Sequence, residues 1–217
     1  MVNLEDIARN LQSGRARETS ALVSQAIEEH YTIDTIIKQG FIAALISLKE
    51  RRRRNEIEVP EISMALRALN RGIRQIKLAI AASPSASASD VDPKGTVIIG
   101  TAEGDAEETA KNIIAVLLEC RGLKVIDLGT SVRADQFINT AKTENAALII
   151  CSAARVPAMT GMKALVQTAS AAGIRERTKI MLTGAPVTEQ YCRIIGADRY
   201  APDASAAAEI AVAVCGS

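Results

Sequence analysis

The chain has very few aromatic residues and a single histidine. Aromatic residues make up only 2% of its 217 residues, tryptophan is absent, and His30 is the single histidine. Proteins that hold single-stranded nucleic acid stack the bases on aromatic side chains, so this composition argues against that function. His30 alone cannot anchor a conventional zinc site or a Ser-His-Asp triad, and no cysteine stands beside it.

Cysteine pattern, net charge and the lack of long apolar runs exclude further classes. The four cysteines are scattered without a CxxC pair, which is typical of small buried residues in a reducing compartment. The 26 basic and 25 acidic residues nearly cancel, so no overall field attracts nucleic acid. No apolar run approaches the ~20 residues that cross a bilayer, and the amino terminus carries charges where a secretory signal needs an apolar segment. We therefore expect a soluble cytoplasmic protein without nucleic-acid or membrane partners.

Residues 1–81 carry the apolar periodicity of helices. Apolar side chains recur at helical spacing in four successive stretches, and Pro60 stands where the first turn of the fourth helix tolerates proline. Four amphipathic helices joined by short turns predict a compact helical bundle, which would form a cap domain. The repeating positions are Leu4, Ile7, Ala8 and Leu11, then Leu22, Val23, Ala26 and Ile27, then Ile36, Ile37, Phe41, Leu45 and Leu48, then Ile62, Leu66, Leu69, Ile73 and Ile76.

The pattern changes after a low-complexity segment of alanine, serine and proline. Residues 82–91 lack apolar periodicity and predict a flexible linker. In residues 92–217, short apolar runs alternate with helical stretches, which predicts an α/β domain with a doubly wound, parallel, five-stranded sheet of the flavodoxin-like type. Ligands of this architecture bind at the carboxyl ends of the strands. The predicted strands are Thr96–Ile99, Val125–Leu128, Ala147–Cys151, Ile180–Leu182 and Arg199–Ala201.

The loop after the first predicted strand is rich in carboxylates: Glu103, Asp105, Glu107 and Glu108. A phosphate-binding loop offers backbone amides, often with a lysine, and avoids nearby anions, so we do not expect a nucleotide or flavin phosphate here. The alternative is that these carboxylates stabilise the start of the next helix and bind no ligand. Asp105 would then cap the next helix, and Glu107 and Glu108 would favour its positive end.

Small side chains follow the third and fourth predicted strands. Small groups at neighbouring strand ends predict a groove for a flat or elongated ligand, and close packing of helix against sheet is the alternative. Arg155, which comes next, is either a solvated loop residue or a contact to a phosphate or amide of that ligand. The small residues are Ser152, Ala153 and Ala154 after one strand and Thr183, Gly184 and Ala185 after the other.

The stretch from Gly100 to Ala204 resembles the cobalamin-binding domain shared by methionine synthase and the corrinoid proteins of anaerobic methyltransferase systems. The resemblance runs through G-T-A-E-G-D-A-E-E-T-A-K-N-I-I, V-I-D-L-G, T-G-A-P-V-T and I-G-A-D-R-Y-A-P-D-A. In the helical half, Q-G-F-I-A-A-L-I-S-L-K-E and E-V-P-E-I-S-M-A are similar to the cap bundle of the methyltransferase corrinoid proteins. The resemblance therefore covers nearly the whole chain outside the linker.

The family motif is DxHxxG, followed at set spacing by SxL and then by GG. The chain keeps this spacing, with 41 residues between Ala110 and Ser152 and 28 residues between Ala154 and Thr183. Asp105, Ser152 and Gly184 keep the residue types of the motif. The other positions differ: Glu107 stands for the histidine, Ala110 and Thr183 stand for glycines, and Ala154 stands for the leucine.

The resemblance implies cobalamin or another corrinoid as the cofactor and a methyltransferase or an activase as the protein partner. It implies a corrinoid carrier subunit for methyl transfer. Because Glu107 stands for the motif histidine, we expect no metal-ligating residue, and because no residue is equipped to activate a methyl donor, we expect no catalytic residue and no complete enzyme. The cofactor-binding residues that it implies are Gly104, Asp105, Ala106, Glu107, Ser152, Ala154, Val156, Thr183, Gly184, Ala185, Tyr200 and Ala201.

The departures from the motif bear on the lower face of the cofactor. In the family, the motif histidine ligates cobalt after the benzimidazole tail of the cofactor has left the metal and entered the groove, and the motif aspartate holds that histidine. A carboxylate at position 107 is a hard, anionic group that favours the higher oxidation states of cobalt. Ala110 and Thr183 narrow the channel for the tail, whereas Ala154 opens it.

Two hypotheses follow for the function. The first is a corrinoid carrier without a protein histidine on cobalt, because His30 falls near the end of the second predicted helix. The lower position then holds the base of the cofactor, water or nothing. The second hypothesis is a corrinoid-free regulatory or interaction protein that keeps the scaffold. The preserved spacing favours the first, and the missing histidine favours the second.

Overall fold

The computed structural model describes residues 1–82 and 95–216. The chain divides into two compact units, Met1–Ser89 and Asp90–Ser217. The predicted linker, residues 82–91, lies outside the described residues except for Ala82, which ends a helix.

The first unit consists of helices, as the apolar periodicity predicts. The third predicted helix is one continuous helical stretch whose middle part, Ile36–Ile42, is π-helical. Pro60 is the second residue of the last helix, where its missing N–H has no helical partner to lose. The helices are α1 (Leu4–Gln12), α2 (Ala16–Glu28), the short α3 (Ile33–Thr35), the π-helical stretch Ile36–Ile42, α4 (Ala43–Arg53) and α5 (Val59–Ala82).

Close packing explains the one glycine of the π-helical stretch. A Cβ atom on Gly40 would lie 2.9 Å from Cγ2 of Ile7 in α1, so only glycine allows the two elements to approach this closely. Ile7, Leu11 and Phe41 are fully buried in this unit. The predicted apolar stripes therefore form its core.

The second unit is a parallel five-stranded sheet with helices between the strands. The strand order is β2-β1-β3-β4-β5, which is the order of a doubly wound fold with its switch point between β1 and β3. Every predicted strand is present, with bounds within two residues of the prediction. The strands are β1 (Thr96–Thr101), β2 (Lys124–Asp127), β3 (Leu148–Ser152), β4 (Lys179–Thr183) and β5 (Arg199–Ala201). The helices are α6 (Thr109–Glu119), α7 (Ala134–Thr143), α8 (Met159–Ala171), α9 (Glu189–Ile195) and α10 (Ala204–Cys215), with a 3-10 turn at Val156–Ala158.

The central strands are buried on both faces, as expected for a parallel sheet covered by helices. The strand register brings Thr101, Ser152, Thr183 and Ala201 into one row at the carboxyl edge of the sheet. All four residues are buried. The loops that follow this row carry the predicted site. Among the described residues, no helix has both the length and the apolar character needed to cross a bilayer.

Candidate corrinoid-binding site

Asp105 joins the loops that follow β1 and β3. It is fully buried, and its Oδ1 accepts a hydrogen bond from the backbone N–H of Glu107 at 3.0 Å. Its Oδ2 accepts one from the backbone N–H of Ala154 at 2.5 Å. The alternative role as a helix cap is therefore wrong, because α6 begins only at Thr109 with Glu108 at the cap position. A buried carboxylate needs hydrogen-bond donors, and in this fold the neighbouring loop provides one.

Glu107, at the position of the motif histidine, is turned toward the start of α6. Its Oε1 accepts a hydrogen bond from the backbone N–H of Thr109 at 2.9 Å and a second, short one from the Thr109 hydroxyl. The side chain is exposed and lies at the positive end of the helix, as its predicted local role requires. A carboxylate held in this way differs from an imidazole in both shape and donor atom.

Hydrogen bonds to neighbouring loops hold the exposed part of the loop after β1. The Gly104 N–H donates to Oγ of Ser131 at 2.9 Å, and the Gly104 carbonyl accepts from Nη2 of Arg155 at 3.0 Å. Neither role predicted for Arg155 includes this bond, since its guanidinium links the loops after β1 and β3. Ala106 is exposed beside Gly104, and Val156 is 69% exposed at the start of the 3-10 turn. These residues give the loops after β1 and β3 an exposed, partly apolar surface.

The ends of β3 and β4 are in direct contact. Gly184 has a φ of +126°, and a Cβ atom there would lie only 1.9 Å from the carbonyl oxygen of Ala153. The predicted groove between these two loops is therefore filled by backbone at this point. Gly184 serves the contact between the loops, and a side chain at this position has no room.

The next pair of strands is joined by a side chain. The Thr183 hydroxyl donates to the carbonyl of Ala201 at 2.9 Å, and both residues are buried. Ala185, one residue past Gly184, is exposed. Tyr200 on the edge strand β5 packs against the hydrophobic core and lines a cavity of about 330 Å³ beside α9, with Cys192 and Arg193 among the other lining residues.

The predicted residues therefore separate into two groups. The exposed group consists of Gly104, Ala106, Glu107, Ala154, Val156 and Ala185. The buried group at the strand ends consists of Asp105, Ser152, Thr183 and Ala201. Gly184 and Tyr200 are partly exposed.

The sequence analysis missed Lys111. Its side chain is 1% exposed inside α6, and its Nζ lies 2.5 Å from Oδ2 of Asp127 and 2.7 Å from Oδ1 of Asn112. The other oxygen of Asp127 accepts the Gly129 N–H at 2.9 Å. The sequence signal that could have found this pair is a lysine on the apolar side of the first turn of α6. A buried ammonium needs an anionic partner, so such a lysine predicts an ion pair.

The ion pair of Lys111 and Asp127 is connected to Asp105 through the loop after β2. The Gly129 carbonyl accepts a hydrogen bond from the N–H of Thr101. The Thr101 hydroxyl donates to the Asp105 carbonyl at 2.6 Å and accepts from the N–H of Ser131 at 2.9 Å. The loops after β1 and β2 thus form one hydrogen-bonded unit below the exposed surface.

The cysteines near the sheet are protonated thiols at neutral pH. Burial raises the pKa of Cys151 far above its usual value, and the nearby Asp105 carboxylate raises it further. Burial raises the pKa of Cys192 to about 11. A buried thiol with a raised pKa is a poor nucleophile and a poor metal ligand.

The site fits a corrinoid in part. The loops at the carboxyl edge offer an exposed, small-residue surface, where ligands of this architecture bind. Glu107 stands at the position of the motif histidine, and the described residues contain no cluster of three or more metal-ligating side chains.

The fold and this edge define a doubly wound α/β ligand-binding domain that follows a helical bundle. Comparison with known proteins identifies the family. The family described as "B12 binding domain" matches residues 95–211, and a second family with the same description matches residues 4–77.

Named relatives agree with this assignment. Trimethylamine corrinoid protein 1 of Methanosarcina acetivorans is 32% identical over 209 residues, which cover 94% of this chain and 95% of that protein. A corrinoid protein of Desulfitobacterium hafniense is 26% identical over 213 residues, with 98% and 97% covered. The solved monomethylamine corrinoid protein of Methanosarcina barkeri has the same fold, with a TM-score of 0.82 at 24% identity over 96% of each chain.

The chain belongs to the B12-binding family, within the corrinoid proteins. Cobalamin, or a related corrinoid, is the cofactor that this membership assigns to it.

Proposed function

We propose that this protein is a corrinoid carrier of a methyltransferase system in which no protein histidine ligates cobalt. One observation carries the proposal: the motif spacing is intact, while the histidine position holds Glu107, whose carboxylate is bonded to Thr109. The kept spacing supports cofactor binding at the carboxyl edge of the sheet. The changed residue removes the protein ligand from the lower face.

The exposed loop residues are suited to hold the cofactor, and the buried ones to keep those loops in place. Gly104, Ala106 and Val156 offer small and apolar groups, and Asp105 joins the two loops that bear them. The corrinoid, when bound, supplies the chemistry of accepting and giving up a methyl group. The chain would bind and orient it, and Glu107 would place a negative charge nearby.

A separate protein must provide the remaining chemistry. The thiols of Cys151 and Cys192, whose pKa values are raised by burial, are poorly suited to activate a methyl donor. The names of the relatives, trimethylamine and dimethylamine corrinoid proteins, refer to methylated amines, which supports a methyltransferase as the partner.

Cofactor retention tests the proposal directly. The full chain is incubated with excess hydroxocobalamin, desalted, and examined by visible absorption. We expect about one corrinoid per chain. A colourless protein would refute the carrier function and favour the corrinoid-free regulatory alternative, for which the missing histidine is the supporting observation.

Two exposed apolar residues provide a matched pair of variants for the same assay. Val156 is 69% exposed within the proposed site, and Ile194 is 74% exposed on α9. Val156→Glu should lower corrinoid retention at least several-fold, because it replaces an exposed apolar group of the proposed site by a charge. Ile194→Glu should retain as much corrinoid as the parent. Equal retention by both variants would exclude the Val156 surface from the site.

The charge of Glu107 should appear in the redox behaviour of the cofactor. An anion near the metal stabilises the higher oxidation state, so Glu107→Gln should make the bound Co(II) easier to reduce. Glutamine keeps the oxygen that accepts from Thr109, so the loop should stay folded. Potentiometric titration of both proteins checks the direction, and a potential that is unchanged or lower in the variant would refute this role.

A further inference from the structure

The solvent side of α5 carries a row of arginines with no anion beside them. Arg67, Arg71 and Arg74 are exposed and follow one another at spacings of four and three residues, which places them on one face of the helix. Residues 62–82 contain no aspartate or glutamate. No ion pair of the described residues includes these three side chains, and Nε of Arg67 donates only to the backbone carbonyl of Ser63, at 3.3 Å. We call this row, together with Leu78 one turn further on, the α5 arginine face.

The row of arginines destabilises the helix that carries it. Like charges three or four residues apart on a helix repel each other, and Arg71 has such a neighbour on both sides. The helix dipole gives no compensation, because it favours cations only in the last turn, and Arg74 lies about two turns before Ala82, where α5 ends. The repulsion therefore remains in the folded chain until an anion from outside relieves it.

Other exposed cations of the helical unit are paired with an anion of their own helix. The run of four arginines at 51–54 ends α4, where the helix dipole also favours cations. That run is therefore stabilised locally, which distinguishes it from the α5 arginine face. The pairs are Arg9 with Asp6, Lys38 with Asp34, and Arg53 and Arg54 with Glu50.

A hollow of about 220 Å³ on the α5 arginine face combines charge with apolar surface. Arg71, Arg74, Gln75 and Leu78 line it, and Leu78 is 57% exposed. A guanidinium presents its N–H groups as a planar fork that fits a carboxylate through two hydrogen bonds. The hollow therefore suits glutamate or aspartate side chains, whose carboxylates meet the arginines while their apolar stems pack on Leu78.

Carboxylates of a protein fit this face better than phosphates of nucleic acid or of a membrane. Surfaces that bind nucleic acid have a broad positive field or stacking aromatic side chains, whereas this chain has a net charge of +1 and 2% aromatic residues. A helix face that binds membranes has several large apolar groups beside its basic ones. In the fully described stretch 67–78, Leu78 is the only exposed large apolar residue.

We propose that the α5 arginine face is the docking surface for an acidic segment of the partner protein. The inference rests on the proposed function for the existence of that partner, and it adds the partner's charge and its place of contact on this chain. Exposed charges at an interface mainly speed association and fix orientation. A carrier has to meet and leave its partner repeatedly, and a contact steered by charge serves such an exchange.

Nuclear magnetic resonance of the nitrogen-15-labelled full chain tests the proposal with poly-L-glutamate as the probe. We expect shifts of the backbone amides of residues 67–78 and of the Nε–H groups of Arg71 and Arg74. These shifts should shrink as salt is added, because exposed charges are screened. Shifts centred on residues 51–54, or spread over all exposed arginines, would overturn the proposal.

Two charge reversals provide a matched pair of variants. Arg71→Glu with Arg74→Glu should weaken binding of poly-L-glutamate by about ten-fold or more, because attraction turns into repulsion at the proposed surface. Arg53→Glu with Arg54→Glu changes the net charge of the chain equally and should weaken binding by about two-fold at most, because Glu50 already pairs with these arginines. Equal losses from both reversals would overturn the proposal, since they would reflect net charge alone.

A neutral variant separates binding from stability. Arg71→Gln with Arg74→Gln should also weaken binding of poly-L-glutamate, while its thermal midpoint should not fall, because the repulsion between like charges is relieved. Unchanged binding by this variant, or a lowered midpoint, would contradict the proposed role of the two arginines.

Other sources of negative charge and the cofactor are examined on the same samples. Duplex DNA and phosphatidylglycerol vesicles are titrated at equal charge concentration, and tighter binding of either than of poly-L-glutamate would overturn an acidic protein segment as the occupant. Protein that retains corrinoid but shows no localised shifts overturns this inference alone. Protein that loses corrinoid but binds poly-L-glutamate through residues 67–78 overturns the carrier function and supports the docking surface.

Discussion

The buried ion pair of Lys111 and Asp127 should show a strong asymmetry between its two partners. Lys111 is 1% exposed, whereas Asp127 is 28% exposed. Lys111→Met replaces a buried charge by an apolar chain of similar length and leaves a carboxylate that water still reaches, so we expect a loss of about 1–2 kcal/mol in the free energy of unfolding. Asp127→Asn leaves the ammonium buried without its anion, and we expect a loss of about 3–5 kcal/mol.

Equilibrium urea unfolding measures this difference. With an m-value of ~2 kcal/mol per molar, a gap of about 2 kcal/mol between the variants separates their midpoints by roughly 1 M. Since the chain has two compact units, hydrogen exchange of the β1 and β2 peptides should accompany the optical signal, so that the α/β unit is followed separately.

A surface ion pair of the same unit serves as the control. Nζ of Lys124 lies 2.8 Å from Oε2 of Glu144, with exposures of 49% and 33%. Lys124→Met should cost less than about 1 kcal/mol, because exposed pairs contribute little. The double variant of Lys111→Met with Asp127→Asn should lose little more than Lys111→Met alone. If Asp127→Asn is no more destabilising than Lys111→Met, the buried-charge argument is wrong.

Three further predictions concern the site and its surroundings. Gly184→Ala should destabilise the α/β unit by more than about 3 kcal/mol, because the new Cβ would meet the Ala153 carbonyl. Gly122→Ala, at φ +80° with open space around it, should cost about 1–2 kcal/mol. Thermal denaturation compares the two variants. The pKa of the Cys192 thiol is about 9 in the unfolded chain and about 11 in the fold, so the fold favours the protonated thiol. Its contribution to the free energy of unfolding is fully present below pH ~9 and should fall by roughly 2 kcal/mol as pH rises toward about 11. Urea midpoints between pH 8 and 11 should therefore fall more steeply for the parent than for Cys192→Ala, and equal slopes would contradict the assignment. Electron paramagnetic resonance of the bound Co(II) corrinoid should show no splitting from a protein nitrogen in Glu107→His alone. The splitting should appear only when Thr183→Gly is added. Splitting in the single variant would mean that Thr183 does not block the tail of the cofactor.

The fold could be predicted because apolar periodicity reports on burial one element at a time. Each strand of the second unit reads as a short apolar run, and each matches the observed strand within two residues. The helical bundle follows from the stripes of residues such as Leu4, Ile7 and Leu11, all of them buried. The π-helical stretch could not be predicted this way, because one added residue in a turn hardly changes the apolar pattern.

The place of the candidate loops in the fold could also be predicted from sequence. Parallel strands end at the same edge, so the residues that follow them gather there whatever the detailed register. The resemblance to the family motif predicted Asp105, Ser152 and Gly184 as site residues, and the comparisons confirm the family. The absence of the motif histidine is likewise a property of the sequence alone.

The partners of those residues were decided by the tertiary structure. Asp105 and the Ala154 N–H are 49 residues apart, and Lys111 and Asp127 are 16 apart, so neither pair appears in any local pattern. The small residue at position 184 predicted an open groove, yet the loops close on it until only a glycine fits. Periodicity records which side of an element is buried, whereas hydrogen bonds and loop contacts depend on distances of a few tenths of an ångström that only the assembled fold sets.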